Sequence, residues 1–190
     1  MGILLNKIRI QNFRSIESMD IELGVTNLLI GQNNTGKSNF LRAINVALGA
    51  MTDVSDADIF VAHEERLQKT KGAVIDVMLR PTDADGNITG NFSEFWIGVF
   101  TESWIATSLE GAFAGIRTEI KYDISRDSYA ITRKCIQRWG DSIETSQVSK
   151  KLPFNEDMRQ YIMPIKGRNW KNQRQTAKKV IKEVWTYTPK

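Results

Sequence analysis

LLIGQNNTGKSNFLRAINVAL, residues 28–48, sets a polar, glycine-containing loop between an apolar run and a run with helical spacing. Within it, GQNNTGKS (Gly31–Ser38) fits the pattern G-x-x-x-x-G-K-[ST]. Just upstream, VTNLLI (Val25–Ile30) is short, apolar and rich in branched residues, which predicts a buried strand. Downstream, from Lys37 to Leu48, Phe40, Leu41, Ile44, Val46, Ala47 and Leu48 mostly recur at helical spacing, and Gly49 fits a helix stop. A strand, a tight loop and a helix in that order give the pattern a mechanism.

That mechanism is anion binding. A polyphosphate carries several negative charges close together, and backbone N–H groups curled into a nest can surround it without bulky side chains. Gly31 and Gly36 let the chain bend tightly and approach closely. A helix starting near Lys37 adds its dipole and its free N–H groups. Lys37 is then expected to reach the β- and γ-phosphates of ATP, and Ser38 to ligate Mg²⁺.

Working outward, KIRIQ within Ile3–Phe13 alternates as a strand does, and SMDIEL (Ser18–Leu23) reads as its partner, with a turn at Gly24. Residues 52–72 are polar and irregular. AVIDVMLR (Ala73–Arg80), EFWIGVF (Glu94–Phe100), RTEIKYDI (Arg117–Ile124) and SYAITRKCI (Ser128–Ile136) read as strands, several of them joined by turn-rich loops, which predicts an antiparallel meander. Residues 101–115 fit no single pattern. NEDMRQYIM predicts a short helix capped by Asn155, and NWKNQRQTAKKVIKEVW an amphipathic one. The expected fold is α/β: a mixed sheet, the phosphate-loop helix and an antiparallel β-subdomain. Residues 1–152 form the expected nucleotide-binding lobe and 153–190 a basic helical extension.

Composition narrows the setting. The single cysteine, Cys135, excludes an internal disulfide and a cysteine-rich metal site, and favours a reducing, cytoplasmic setting. No apolar run approaches the roughly 18 residues of a membrane span, and the apolar part of MGILLNKIRIQNF is too short for a secretory signal. Residues 1–100 carry 9 Lys and Arg against 12 Asp and Glu, residues 101–190 carry 17 against 10, and the last 41 residues alone carry 11 against 3. Positive charge therefore gathers at the C-terminal end. Lys166, Arg168, Lys171, Arg174, Lys178, Lys179 and Lys182 could track a DNA backbone with steep salt dependence, or form a solvated or partner-docking face.

IRIQNFRSIESMDIELGVTNLLIGQNNTGKSNFLRAI resembles the N-terminus of the RecF and SMC branch of ABC-type ATPases, and GQNNTGKS is most similar to the OLD-family ATP-dependent endonucleases and their relatives in anti-phage defence. Other proteins of the branch usually have glycine where this chain has Asn34, whereas OLD-type proteins often carry the double asparagine. Asn tolerates the left-handed backbone better than most residues, so the exchange is physically mild. The resemblance implies that Arg14 and Ser15 contact phosphate and nucleotide. It also implies that Asn33, Asn34, Thr35, Gly36, Lys37, Ser38 and Asn39 form the phosphate loop and the start of its helix. It further implies a homo- or hetero-oligomer through the ATPase lobe, acting on DNA in processing, repair or defence.

The same resemblance calls for a Walker B strand, four apolar residues followed by Asp-Glu, and for an LSGGQ-like signature. No SGG occurs in the 190 residues, and AVID is followed by Val77. Asp76 therefore reads as an ordinary strand residue, no catalytic residue is assigned, and no nuclease carboxylate cluster is found. In the family these motifs follow a long arm or insertion, so the chain reads as an N-terminal lobe whose ATPase activity needs the other lobe. Two alternatives stay open: a nucleotide-binding adaptor without turnover, and a nucleic-acid-binding protein with an idle loop. DADGNITGNFSE (Asp83–Glu94) places oxygens at calcium-loop positions 1, 3, 5 and 12, but Ile88 stands where glycine is needed, so a hairpin turn is the better reading. His63 reads as a solvated loop residue, and core packing is the default role of the five tryptophans.

Overall fold

A computed structural model describes residues 2–30, 32, 36–60, 72–149, 151–155, 157, 158 and 162. Strand β1 (Gly2–Phe13) turns back into β2 (Ile16–Glu22), and helix α1 (Lys37–Ala47) follows. Next come β3 (Ala73–Thr82), helix α2 (Glu94–Phe100), β4 (Ile105–Ser108), β5 (Gly111–Asp123), β6 (Ser128–Arg138) and β7 (Glu144–Ser149). The strands lie in the order β2-β1-β3-β5-β6-β7, with β4 also paired to β5. Every pairing between these strands is antiparallel. The expected meander and the N-terminal hairpin are thus one continuous surface, joined where β1 pairs with β3.

Alternation along β3 sorts the two faces of that surface. Ile75, Val77 and Leu79 point into the main core, where α1 contributes Phe40, Ala43, Ile44, Val46 and Ala47. The helix packs there because its apolar residues form one stripe. Its C-terminal end closes at Gly49, φ +73°, whose N–H donates to Val46 O at 3.1 Å. Asp76 points to the opposite face, where a row runs in register through Asp20, Arg9, Asp76, Arg117 and Lys134.

Two sequence expectations are corrected. EFWIGVF is helix α2, not a strand. Trp96 and Phe100, four residues apart, stack at 5.7 Å and are buried together, while Phe92 and Phe154 meet Phe100 edge-on. Burial of residues four apart, with Glu94 in the first turn, overrides the strand propensity of Phe, Trp, Ile and Val. The second correction concerns VTNLLI, which is neither strand nor buried. Asn27 and Gly24 close a small turn, Oδ1 accepting from Gly24 N–H at 3.0 Å and Nδ2 donating to Gly24 O at 2.8 Å. Beyond it Leu28 is 77% exposed and Ile30 is 83% exposed. A strand is stabilised by its neighbours, and among the described residues none pairs with this segment.

Ile30 gives a direct measure of that correction. Ile30→Ala is expected to shift stability by less than about 0.5 kcal/mol, as for other exposed positions. A buried isoleucine would lose about 2–5 kcal/mol. Urea denaturation of the two chains decides between these values.

Other expectations are met locally. The calcium-like segment is a hairpin turn: Asp83 Oδ1 accepts from the N–H groups of Asp85 and Asn87 at 2.9 and 2.8 Å, and Gly86 takes φ +89°. Asn155 Oδ1 accepts from Met158 N–H at 3.0 Å, as a helix cap does. Trp96 and Trp104 are core residues. The basic helix read over 169–185, Trp170, Trp185 and His63 lie outside the described residues.

Candidate phosphate-binding site

The start of α1 is built around Gly36. Its φ of +89° lies in the left-handed region that glycine enters without strain, and its carbonyl accepts from Phe40 N–H at 2.9 Å to close the first helical turn. A Cβ at this position would also stand 3.1 Å from Ser15 Oγ. Conformation and space therefore both call for glycine. No side chain among the described residues caps the helix, and its first turn holds no acidic residue. A helix start of this kind leaves its first N–H groups and the positive end of its dipole suited to an anion.

Lys37 leads into that site. Its Nζ donates to the Gln32 carbonyl, so the side chain folds back across the loop instead of along the helix. Ser38 follows, exposed, and Asn39 is half-buried. Asn39 Nδ2 donates to Ser15 Oγ at 2.7 Å. The turn between β1 and β2 thus reaches the helix start, where Ser15 meets Asn39 and lies beside Gly36. Gly31, Asn33, Asn34 and Thr35 lie outside the described residues.

The turn that carries Arg14 is held tightly. Asn12 and Arg14 both have φ +53°, a region costly for residues with a Cβ. Segment 58–60 lies alongside: Arg14 N–H donates to Asp58 O at 3.1 Å, Phe60 N–H to Asn12 O at 2.9 Å, and Phe13 bridges to Ile59. Asp58 also engages side chains. Arg42, on α1, donates through Nε to Oδ1 at 2.6 Å and through Nη2 to Oδ2 at 2.8 Å. Arg14 Nη1 approaches Oδ1 at 3.2 Å, and Ser55 N–H approaches Oδ2 at 3.2 Å. Burial works to raise the Asp58 carboxyl, but the hydrogen bonds from Arg42 and Ser55 and the two guanidinium charges outweigh it and hold it below the usual carboxylate range.

Sequence reasoning left Asp58 and Arg42 unassigned. One signal was available: Ser55 and Asp58 stand three apart, the spacing of a capping box. Nothing in the sequence pairs Asp58 with Arg42, sixteen residues away.

Asp76 belongs elsewhere. It is 1% exposed, on the sheet face opposite α1, and Arg117 grips it through Nε–Oδ1 at 2.7 Å and Nη2–Oδ2 at 2.9 Å. Asp76→Asn is expected to cost roughly 2–3 kcal/mol, somewhat less than a fully buried pair because solvent still reaches Arg117. Nucleotide affinity should stay unchanged. Chemical denaturation and a binding titration on one variant report the two quantities separately, and weakened nucleotide binding in a stable Asp76→Asn chain would put Asp76 in the site. Among the described residues no group of three or more His, Cys, Asp or Glu could hold a metal ion, and no helix is long and apolar enough to cross a membrane.

A tight β-turn and a helix start that no side chain among the described residues caps meet over one face of an antiparallel sheet. Residues 4–188 match the family model described as AAA ATPase domain, and the chain belongs to that family. Over 46 residues, 24% of this chain, it is 39% identical to the OLD nuclease of Thermus scotoductus (strain ATCC 700910 / SA-01). The matched stretch spans 9% of that protein's length. The lobe is therefore OLD-like.

Proposed function

We propose that this chain binds ATP with Mg²⁺ through residues 31–39, as the N-terminal part of an OLD-, RecF- or SMC-like ATPase engaged in DNA processing, repair or anti-phage defence. The observation that carries the reading is the N-terminus of α1 behind Gly36, which no side chain among the described residues caps and whose first turn holds no acidic residue, with Lys37 Nζ donating to the Gln32 carbonyl. These residues fit the group: main-chain donors and the Lys37 ammonium suit the phosphates, and the Ser38 hydroxyl is the oxygen that would hold Mg²⁺. Held there, the metal would supply charge neutralisation for the phosphates. Arg14 and Ser15, docked on the helix start, add a second cationic wall and a hydroxyl.

In this reading residues 1–152 are the lobe and 153–190 an extension toward an arm or a partner. Hydrolysis depends on a Walker B strand and a signature loop from the rest of the enzyme, in the same or another polypeptide. The similarity to an OLD nuclease supports a role connected with nucleic acid. Calorimetric titration of Mg-ATP into the wild-type and Lys37→Ala chains tests the assignment, and equal affinities would refute it.

A further inference from the structure

The Asp58 cluster lies outside the phosphate-loop pattern, yet it joins three parts of the site. Its backbone carbonyl holds the N–H of Arg14, its carboxylate holds the Arg14 side chain, and the same carboxylate is fastened to Arg42 on α1. Asp58 itself is 1% exposed and Arg14 is 33% exposed. The two arginines are not equivalent. Arg42 makes a bidentate pair with both carboxylate oxygens, whereas Arg14 makes a single, longer contact through one of its three nitrogens. Bidentate pairing fixes a guanidinium, and a single contact orients one while leaving donors for another anion.

We propose that Asp58 is a positioning residue for the nucleotide: anchored to α1 by Arg42, it fixes the Arg14 guanidinium in the turn whose Ser15 meets Asn39 at the start of α1. The role rests on the ATP-binding reading above. Without the Asp58 carboxylate, Arg14 and Arg42 would repel each other and the Arg14 side chain would lose its orientation. The Arg14 backbone would keep its bond to the Asp58 carbonyl. Asp58→Asn therefore isolates the side-chain effect.

The test is Mg-ATP titration of the 190-residue chain as wild type, Lys37→Ala, Asp58→Asn, Arg14→Ala and the Asp58→Asn/Arg14→Ala double variant, each with its thermal midpoint. Asp58→Asn and Arg14→Ala are each expected to weaken ATP binding about tenfold, the scale of one charged hydrogen bond. The double variant should bind no more weakly than Arg14→Ala alone, because Asp58 acts through Arg14. A purely structural Asp58 would cost the same in both backgrounds, and that result overturns the proposal. Wild-type affinity in either single variant overturns it too. If Asp58→Asn does not fold, the Asp58→Asn/Arg42→Met variant removes the half-buried arginine left without its carboxylate. The same tenfold loss is expected there, and wild-type affinity there is again fatal. Lys37→Ala separates the two levels of inference. Unchanged binding in that variant removes the ATP-binding reading, whereas loss there with none in Asp58→Asn removes only the positioning role.

Discussion

The isolated chain is expected to bind Mg-ATP and to turn it over at a rate close to background. Binding needs main-chain donors, a cation and a helix start, and the structure brings Gly36, Lys37, Ser38 and the first turn of α1 together. Hydrolysis needs more: a carboxylate to position water and a charge opposite the γ-phosphate. Asp76, the one strand aspartate that follows an apolar run, lies across the sheet from α1 and is committed to Arg117. Asp58 is committed to Arg42 and Arg14. The absence of one such stabiliser can cost roughly a hundred- to a thousand-fold in rate, and both the Walker B carboxylate and the signature loop are lacking from the sequence. A steady-state phosphate-release assay on the purified chain checks the rate. Turnover should rise when a polypeptide carrying those two elements is added, and it should then require Lys37. Robust, Lys37-dependent hydrolysis by this chain alone would overturn the division of labour between the lobes.

Lys37→Ala is expected to weaken ATP binding by roughly 10- to 100-fold, the scale of one or two charge-assisted hydrogen bonds to phosphate. The substitution removes the ammonium that donates across the loop to Gln32 O, yet it leaves Gly36, the helix N–H groups and the Arg14 turn in place. Alanine is also a better helix former than lysine at N1 of α1, so the fold should be kept. Because the lost interaction is mainly with the β- and γ-phosphates, AMP affinity should change far less than ATP affinity. Titrating both nucleotides into both chains measures the contrast. An equal loss for AMP and ATP would indicate a general disturbance of the loop instead of lost phosphate contact.

The helix start on which the candidate site is read was legible in the sequence because it is local. Gly36 must adopt φ +89°, Lys37 and Ser38 must begin a helix, and the apolar stripe from Phe40 to Ala47 must face a core, all within one short stretch of chain. The β1–β2 hairpin and strands β3, β5 and β6 were legible for a similar reason, since alternation is written residue by residue. What the sequence could not decide was which neighbours each segment would find. VTNLLI has the composition of a buried strand, but a strand exists only where another strand supplies hydrogen bonds, and none of the described strands does so. EFWIGVF has the composition of a strand, and the packing of Trp96 and Phe100 with Phe154 made it a helix. Asp58 and Asp76 look alike in sequence, each an acid beside apolar residues. Only the tertiary structure sent one to the arginines at the helix start and the other to Arg117 on the far face, because ion pairing depends on distance in space and chain separation gives no measure of it.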